Sequence, residues 1–205
     1  MRMKPSFLRT TFNPEILSMP FKNQTNWHVI TGAPSSGKTT LINLMAERGL
    51  TTVPEPARQY MEAQLAEGKT IDQVEENLIA LQLGIIDHFI KVQSELPENE
   101  LLFLDGDFPD SITYGRVHGL DPNDFLAMGL TYRYASVFKL ECLAFEQDGV
   151  RWQDDDTVAF IDEWLTKDYQ AMGYHVVNVP VMPVEERLAF ILRELTDRGL
   201  IAPTI

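Results

Sequence analysis

Apolar positions change their spacing in a regular order along this chain. Trp27-His28-Val29-Ile30-Thr31 is a short β-rich run that ends at Gly32, and Leu41, Leu44, Met45 and Arg48 then fall at helical spacing up to a stop at Gly49. Thr51 to Pro54 reads as a second short strand. A long amphipathic helix is predicted after it, with Val74, Leu78, Leu81, Ile85, Phe89, Val92 and Leu96 recurring by three and four. Thr70, three residues before Gln73, is the expected N-cap of that helix in a capping box. Leu101-Leu102-Phe103-Leu104 is apolar without interruption and stops at Asp105, which suits a strand buried on both faces of a parallel sheet. Further strands are expected over Ala135 to Leu140 and over Tyr174 to Val179. The helix between them carries Val158, Ile161, Leu165, Tyr169 and Met172, and a last helix carries Val184, Leu188, Ile191, Leu192 and Leu195. Five strands alternating with helices predict an α/β fold, a five-stranded parallel sheet sandwiched by helices with right-handed crossovers.

That pattern starts at Trp27. Residues 1–26 carry Arg2, Lys4 and Arg9 and are interrupted by Pro5, Pro14 and Pro20, so an extended N-terminal arm is expected before a single domain over 27–205. The arm lacks the unbroken apolar core of a secretory signal, and no stretch of the chain approaches the ~18 apolar residues of a membrane helix. Lys and Arg total 17 against 30 Asp and Glu, a formal net charge of −13, and no basic run offsets it. Such a surface repels phosphodiester backbones, so no nucleic-acid partner is expected. The single Cys142 cannot form an internal disulfide, in keeping with a cytoplasmic protein. The four histidines show no metal-ligand spacing, and Thr166-Lys167-Asp168-Tyr169 lacks the second Asp of a guanine-reading motif.

Chemistry enters at Gly32-Ala33-Pro34-Ser35-Ser36-Gly37-Lys38-Thr39, which satisfies G-x-x-x-x-G-K-[ST], the Walker A P-loop. Backbone N–H groups of such a loop converge on a triphosphate, and the following helix adds its positive dipole end. Lys38 is expected at the β- and γ-phosphates and Thr39 on Mg²⁺, with Thr40 completing the segment. Asp105, at the end of an apolar strand, suits a second metal-holding acid, and it also suits a helix or turn cap. Asp107 and Asp110 follow closely and offer carboxylates to the metal or to a substrate hydroxyl. In Val53-Pro54-Glu55-Pro56-Ala57-Arg58, Glu55 can take the proton of an attacking hydroxyl while Arg58 positions the substrate. The same string also reads as a helix start. The polar, charged segment from Phe145 to Arg151 has the composition of a lid, with Arg151 the arginine it would bring to the transferred phosphoryl group and Arg116 and Arg133 as alternatives. Asp154-Asp155-Asp156 is expected to charge the start of the next helix.

With those residues in view, the chain resembles the NadR-like AAA-domain family of P-loop NTPases, which includes the kinase domain of the NAD-biosynthesis regulator NadR. The resemblance runs from about Trp27 to the C-terminus. Thr31 to Thr40, Pro54 to Arg58, Phe103 to Ser111, Phe145 to Arg151, and the tail from Gly173-Tyr174 through Val184-Glu185-Glu186-Arg187 carry it. It implies a nucleotide-kinase-like fold using ATP and Mg²⁺, with Asp105, Asp107 and Glu55 at the places that line the substrate pocket of nicotinamide riboside kinases. One departure stands out: many members have Asp-Arg where this chain has Asp105-Gly106, so an anion contact is missing. The DNA-binding and adenylyltransferase domains of NadR are not expected in 205 residues. Two functions follow as expectations. The first is a small-molecule kinase acting on a nucleoside-type hydroxyl, with a homo-oligomer compatible with it. The second is a nucleotide-dependent switch or slow ATPase acting through a protein or lipid partner, with the N-terminal arm as its contact.

Overall fold

The computed structural model describes residues 7–143 and 155–202. In chain order they form α1 (Pro14–Leu17), β1 (Asn23–Gln24), β2 (Trp27–Thr31), α2 (Lys38–Glu47), β3 (Thr52–Val53), α3 (Pro56–Ala66), α4 (Ile71–Glu75), α5 (Leu78–Glu95), β4 (Leu102–Asp105), α6 (Phe108–Val117), α7 (Asn123–Gly129), β5 (Tyr132–Arg133), β6 (Ser136–Leu140), α8 (Asp155–Ala171), β7 (Val176–Val179) and α9 (Val184–Asp197). The main sheet has five parallel strands in the order β3-β4-β2-β6-β7. This is the expected parallel sheet sandwiched by helices.

Every residue of β2, β4 and β6 is buried. Strand alternation sends Trp27, Val29, Leu102, Leu104 and Val137 into one layer with α5, α6 and α8. Ile30, Phe103, Phe138 and Leu140 enter the other with α2 and α9. Each large apolar side chain so enclosed contributes about 1.5–3 kcal/mol, which fixes the strands' register and therefore where their ends lie. The chain leaves β2 toward β3 and β4 on one side and reaches β6 and β7 on the other. The strand order therefore reverses at β2, and a crevice opens beyond its carboxyl end.

Three parts of the helical layer differ from the sequence expectation. The long helix over 70–96 is two helices: Thr70 does cap the first with a complete capping box, but Asn77 breaks the run and caps α5 by accepting from Ala80 N. A local side-chain cap overrides the apolar period there. Helices α6 and α7 were not expected at all; nearly every residue of α6 is buried, so it has no polar stripe to betray its period. The N-terminal segment, in its described part, is not merely extended. It contains α1, pairs β1 in parallel with β5, and buries Phe12 against the domain. Leu8 N donates to Arg116 O, and Phe7 stacks on Phe160 at 4.8 Å. Among the described residues, no helix is long and apolar enough to cross a membrane.

Candidate active site

The loop between β2 and α2 lies at the carboxyl end of the central strand. Gly32 has φ +151°, and a Cβ there would come within 2.9 Å of Leu140 O and 2.7 Å of Ser36 Oγ. Only glycine lets the loop turn against β6 so closely. Gly37 then enters α2 in the left-handed region at φ +87°, which aims the first N–H groups of the helix into the loop. Ser36 N closes the turn onto Ala33 O at 3.2 Å. Pro34 and Ser35 form its tip, with Ser35 also at positive φ (63°). Lys38 Nζ donates to Gly32 O at 2.6 Å and therefore lies back over the loop.

Asp105 ends β4 beside β2, pairing with Ile30 in register. Thr39 Oγ1 donates to Asp105 Oδ2 at 3.2 Å, while Oδ1 is buried with no hydrogen-bond partner. Burial raises the Asp105 carboxyl to about 6, against the opposing pull of Lys38. A hydroxyl and an under-satisfied carboxylate, both hard oxygen donors next to a phosphate loop, fit Mg²⁺, which takes few protein ligands and fills its shell with phosphate and water.

Glu55 precedes α3, so the alternative reading of its motif as a helix start is correct for the backbone. Its side chain, however, makes no capping hydrogen bond. The carboxylate, about one-third exposed, lies 3.9 Å from Arg58 Nε. It also acts electrostatically on Asp105 and Asp110, so β3, β4 and α6 deliver their acids to one crevice. Arg58 itself is more than half exposed at the rim.

The two remaining acids have other attachments. Asp107 Oδ1 accepts from Phe108 N at 2.7 Å and from Gln93 Nε2 at 2.7 Å, so it anchors α6 against α5 instead of joining Asp105. Asp110 accepts from Thr31 Oγ1 at 2.9 Å and from Tyr169 Oη at 2.7 Å. Burial pushes both carboxyls up to about 7. Gly106 holds φ +68°, and a Cβ there would come within 2.8 Å of Asp110 Oδ2, so the absence of a side chain at this position gives Asp110 its place. Among the described residues, no three His, Cys, Asp or Glu side chains group as a metal site by themselves.

A family described as the AAA domain matches residues 27–187. The chain belongs to that family. No curated protein sequence matches it. Among solved structures, that of NadR protein in complex with NR shares 18% identity with a TM-score of 0.64, over 90% of this chain and 52% of that one. The chain thus spans about half the length of NadR. Deoxyadenosine kinase from M. mycoides with products bound shares 14% identity with a TM-score of 0.59, over 84% of this chain and 99% of that one. Thymidylate kinase from Candida albicans gives a TM-score of 0.50 at 14% identity, over 88% of this chain and 96% of that one. The fold is that of the P-loop nucleoside and nucleotide kinases.

Arg151, the expected lid arginine, lies outside the described residues together with the rest of the 145–154 segment. The alternatives Arg116 and Arg133 are committed elsewhere. Arg116 pairs with Asp168 at 2.8 Å, and Arg133 stacks on Phe21 and Tyr174 and donates to Gly173 O. Sequence reading placed Arg187 in the tail that carries the resemblance but gave it no role; it is buried in α9 and reaches Ser36 O with Nη1 at 2.5 Å, pinning the P-loop from behind. Sequence reading missed a recess of about 110 Å³ lined by Gly37, Thr40, Leu143, Met182, Val184 and Arg187. Apolar residues from three distant segments carry no pattern that could announce such a recess.

Proposed function

We propose that this protein is a Mg·ATP-dependent phosphotransferase that moves the γ-phosphoryl group to a hydroxyl of a small, nucleoside-type acceptor. The observation that supports it most is the meeting of a complete P-loop with a carboxylate, Glu55, across the crevice at the end of β2. Among the described residues, that carboxylate caps no helix and is held only by Arg58 at 3.9 Å. The loop N–H groups and Lys38 would receive the triphosphate, with Gly32 to Thr40 as its binding segment. Thr39 and Asp105 would hold Mg²⁺, which when bound neutralises charge on the phosphates. The recess beside Thr40 would take the base: Leu143, Met182 and Val184 offer apolar faces, and among the described residues its lining contains no carboxylate.

On the acceptor side, a substrate hydroxyl oxygen attacks the γ-phosphorus as its bond to the bridging oxygen breaks. ADP leaves, and the hydroxyl proton passes to Glu55. Asp110 and the Arg58–Glu55 pair shape the pocket around that hydroxyl. Asp107 acts through α6, as a positioning residue. The kinases that share this fold support the same reading. The rival reading, a switch contacting a partner through the N-terminal arm, gains nothing from the geometry, since residues 7–12 are docked on the protein's own α6 and α8.

The test is ADP release from Mg·ATP across nucleosides, nicotinamide riboside and small vitamins, with a no-acceptor control. Turnover that depends on one acceptor class is the expected result. Slow release indifferent to every acceptor would overturn the kinase reading in favour of the switch.

A further inference from the structure

One polar side chain in the crevice has no role in the phosphate end. Tyr114 lies one helical turn beyond Asp110 on α6, on the same side of that helix. The helix is held firmly: Asp107 anchors its start, and Gln82 Nε2 of α5 donates to Ser111 O at 2.9 Å. From this fixed platform the Tyr114 phenol stands within electrostatic reach of Glu55, Asp105 and Asp110, and of Cys142 beyond β6.

The hydroxyl of Tyr114 makes no hydrogen bond among the described residues. The three buried tyrosines all make one, while the hydroxyls of the partly buried Tyr60 and Tyr132 make none among the described residues. Tyr169 donates to Asp110, Tyr134 accepts from Gln93 Nε2 at 3.1 Å, and Tyr174 donates to Tyr132 O at 3.4 Å. A tyrosine placed only for packing normally satisfies its hydroxyl in the same way. The residue is only partly buried, with its ring packed against the main core cluster. Burial and the three carboxylates push its ionisation far above the ordinary phenol range, which keeps it a neutral donor.

We propose that Tyr114 is a specificity-determining residue of the acceptor site, donating a hydrogen bond to a second oxygen of an uncharged, polyhydroxylated acceptor such as a ribose, while Glu55 engages the hydroxyl that is phosphorylated. A wall of acceptors (Glu55, Asp105, Asp110) with one neutral donor suits hydroxyl-rich, uncharged molecules. It repels an acceptor that already carries phosphate. The inference rests on the kinase reading.

The experiment compares wild-type protein and Tyr114→Phe in steady-state ADP release, with the uncharged nucleosides adenosine and cytidine, their 2′- and 3′-deoxy counterparts, and AMP. Loss of one hydrogen bond at a buried site is expected to raise the acceptor KM about tenfold while kcat and the KM for ATP stay within about twofold. One deoxy analogue should lose the same factor on the wild type and nothing further on the variant. Equal acceptor KM for the two proteins, or equal deoxy penalties on both at every position, would overturn the role of Tyr114 and leave the kinase intact. Preference for AMP over adenosine would overturn the uncharged acceptor. Absence of acceptor-dependent turnover in the wild type would remove the kinase reading, and this inference with it. Phe keeps the ring and its packing, and matching thermal melts of the two proteins verify the fold.

Discussion

The helix α6 carries two polar clusters of opposite character. Toward α8, Arg116 is almost completely buried, and its donors are taken up. Nε and Nη2 grip the two oxygens of Asp168 at 2.9 and 2.8 Å, Nη1 donates to Thr10 O at 2.6 Å, and the guanidinium plane packs over Trp164 and Phe12. Thr113 Oγ1 adds a further bond to Asp168 at 2.8 Å. Toward the crevice, among the described residues, Asp105 Oδ1 and Asp107 Oδ2 are buried without a partner, the Glu55 carboxylate has only Arg58 at 3.9 Å, and the Tyr114 hydroxyl makes no hydrogen bond. A saturated buried network holds elements together and fixes one arrangement. An unsaturated one costs stability and persists where a ligand completes it. Both clusters include buried groups; the charged groups differ in satisfaction, although the Trp164 indole N–H beside Arg116 is also without a partner among the described residues.

The largest expected effect comes from breaking the saturated cluster. Arg116→Ala leaves Asp168 buried and uncompensated and should cost about 3–5 kcal/mol in urea unfolding. It also frees the Leu8–Thr10 stretch, seen as faster proteolysis of the N-terminal segment. A loss under about 1 kcal/mol would show that the pair is not closed in solution. On the unsaturated side the balance reverses. Glu55→Gln should slow acceptor-dependent turnover about 100-fold, the usual scale of a general base, with ATP affinity and melting temperature unchanged. Unfolding instead would return Glu55 to the role of a helix start.

Lys38→Ala removes charge-assisted hydrogen bonds to phosphate and should weaken ATP binding about 10–100-fold by calorimetry while the protein stays folded. Unchanged affinity in a folded variant would overturn the P-loop assignment.

The smallest effect is on pH. The Asp110 carboxyl is raised to about 7, first by burial, and the charges of Lys38 and Glu55 and the bonds from Tyr169 and Thr31 act on it as well. Between the ordinary carboxylate range and about 7, the folded protein binds more protons than the unfolded chain. Stability from this group therefore falls as pH rises through that window. Asp110→Asn should flatten the difference in melting temperature between about pH 5 and pH 8 by about 2–4 °C. Asp107, raised in the same direction, keeps some slope in place.

How much of this was legible in the chain depends on how local its cause is. The P-loop could be read because its requirements are written in adjacent residues: glycine where a Cβ would strike Leu140 O, a lysine and a threonine at the first turn of α2. The strands β2, β4 and β6 were legible because burial on both faces demands uninterrupted apolar runs. Asp105 followed from the end of such a run. The start of α6 was legible in principle, with Asp107 as N-cap and Pro109 in the first turn, but the polar and small residues of Phe108 to Val117 gave no period to confirm it.

The amino-acid sequence by itself thus determined the parallel α/β architecture, the phosphate loop and the acid beside it, since periodicity and backbone conformation are properties of neighbours. Tertiary structure alone decided which charged groups are free to act. The arginines Arg116 and Arg133 look alike in the chain, as do the acids Asp105 and Asp107, but each has its partners chosen by elements tens of residues away. Gln93 of α5 takes Asp107, Asp168 of α8 takes Arg116, and Gly173 beyond α8 takes Arg133. The recess of Leu143, Met182 and Val184 exists only because the sheet order brings β2, β6 and β7 side by side, and the crevice only because β4 lies next to β2. Whether a polar atom is satisfied depends on what packs against it, and packing is set by the fold as a whole.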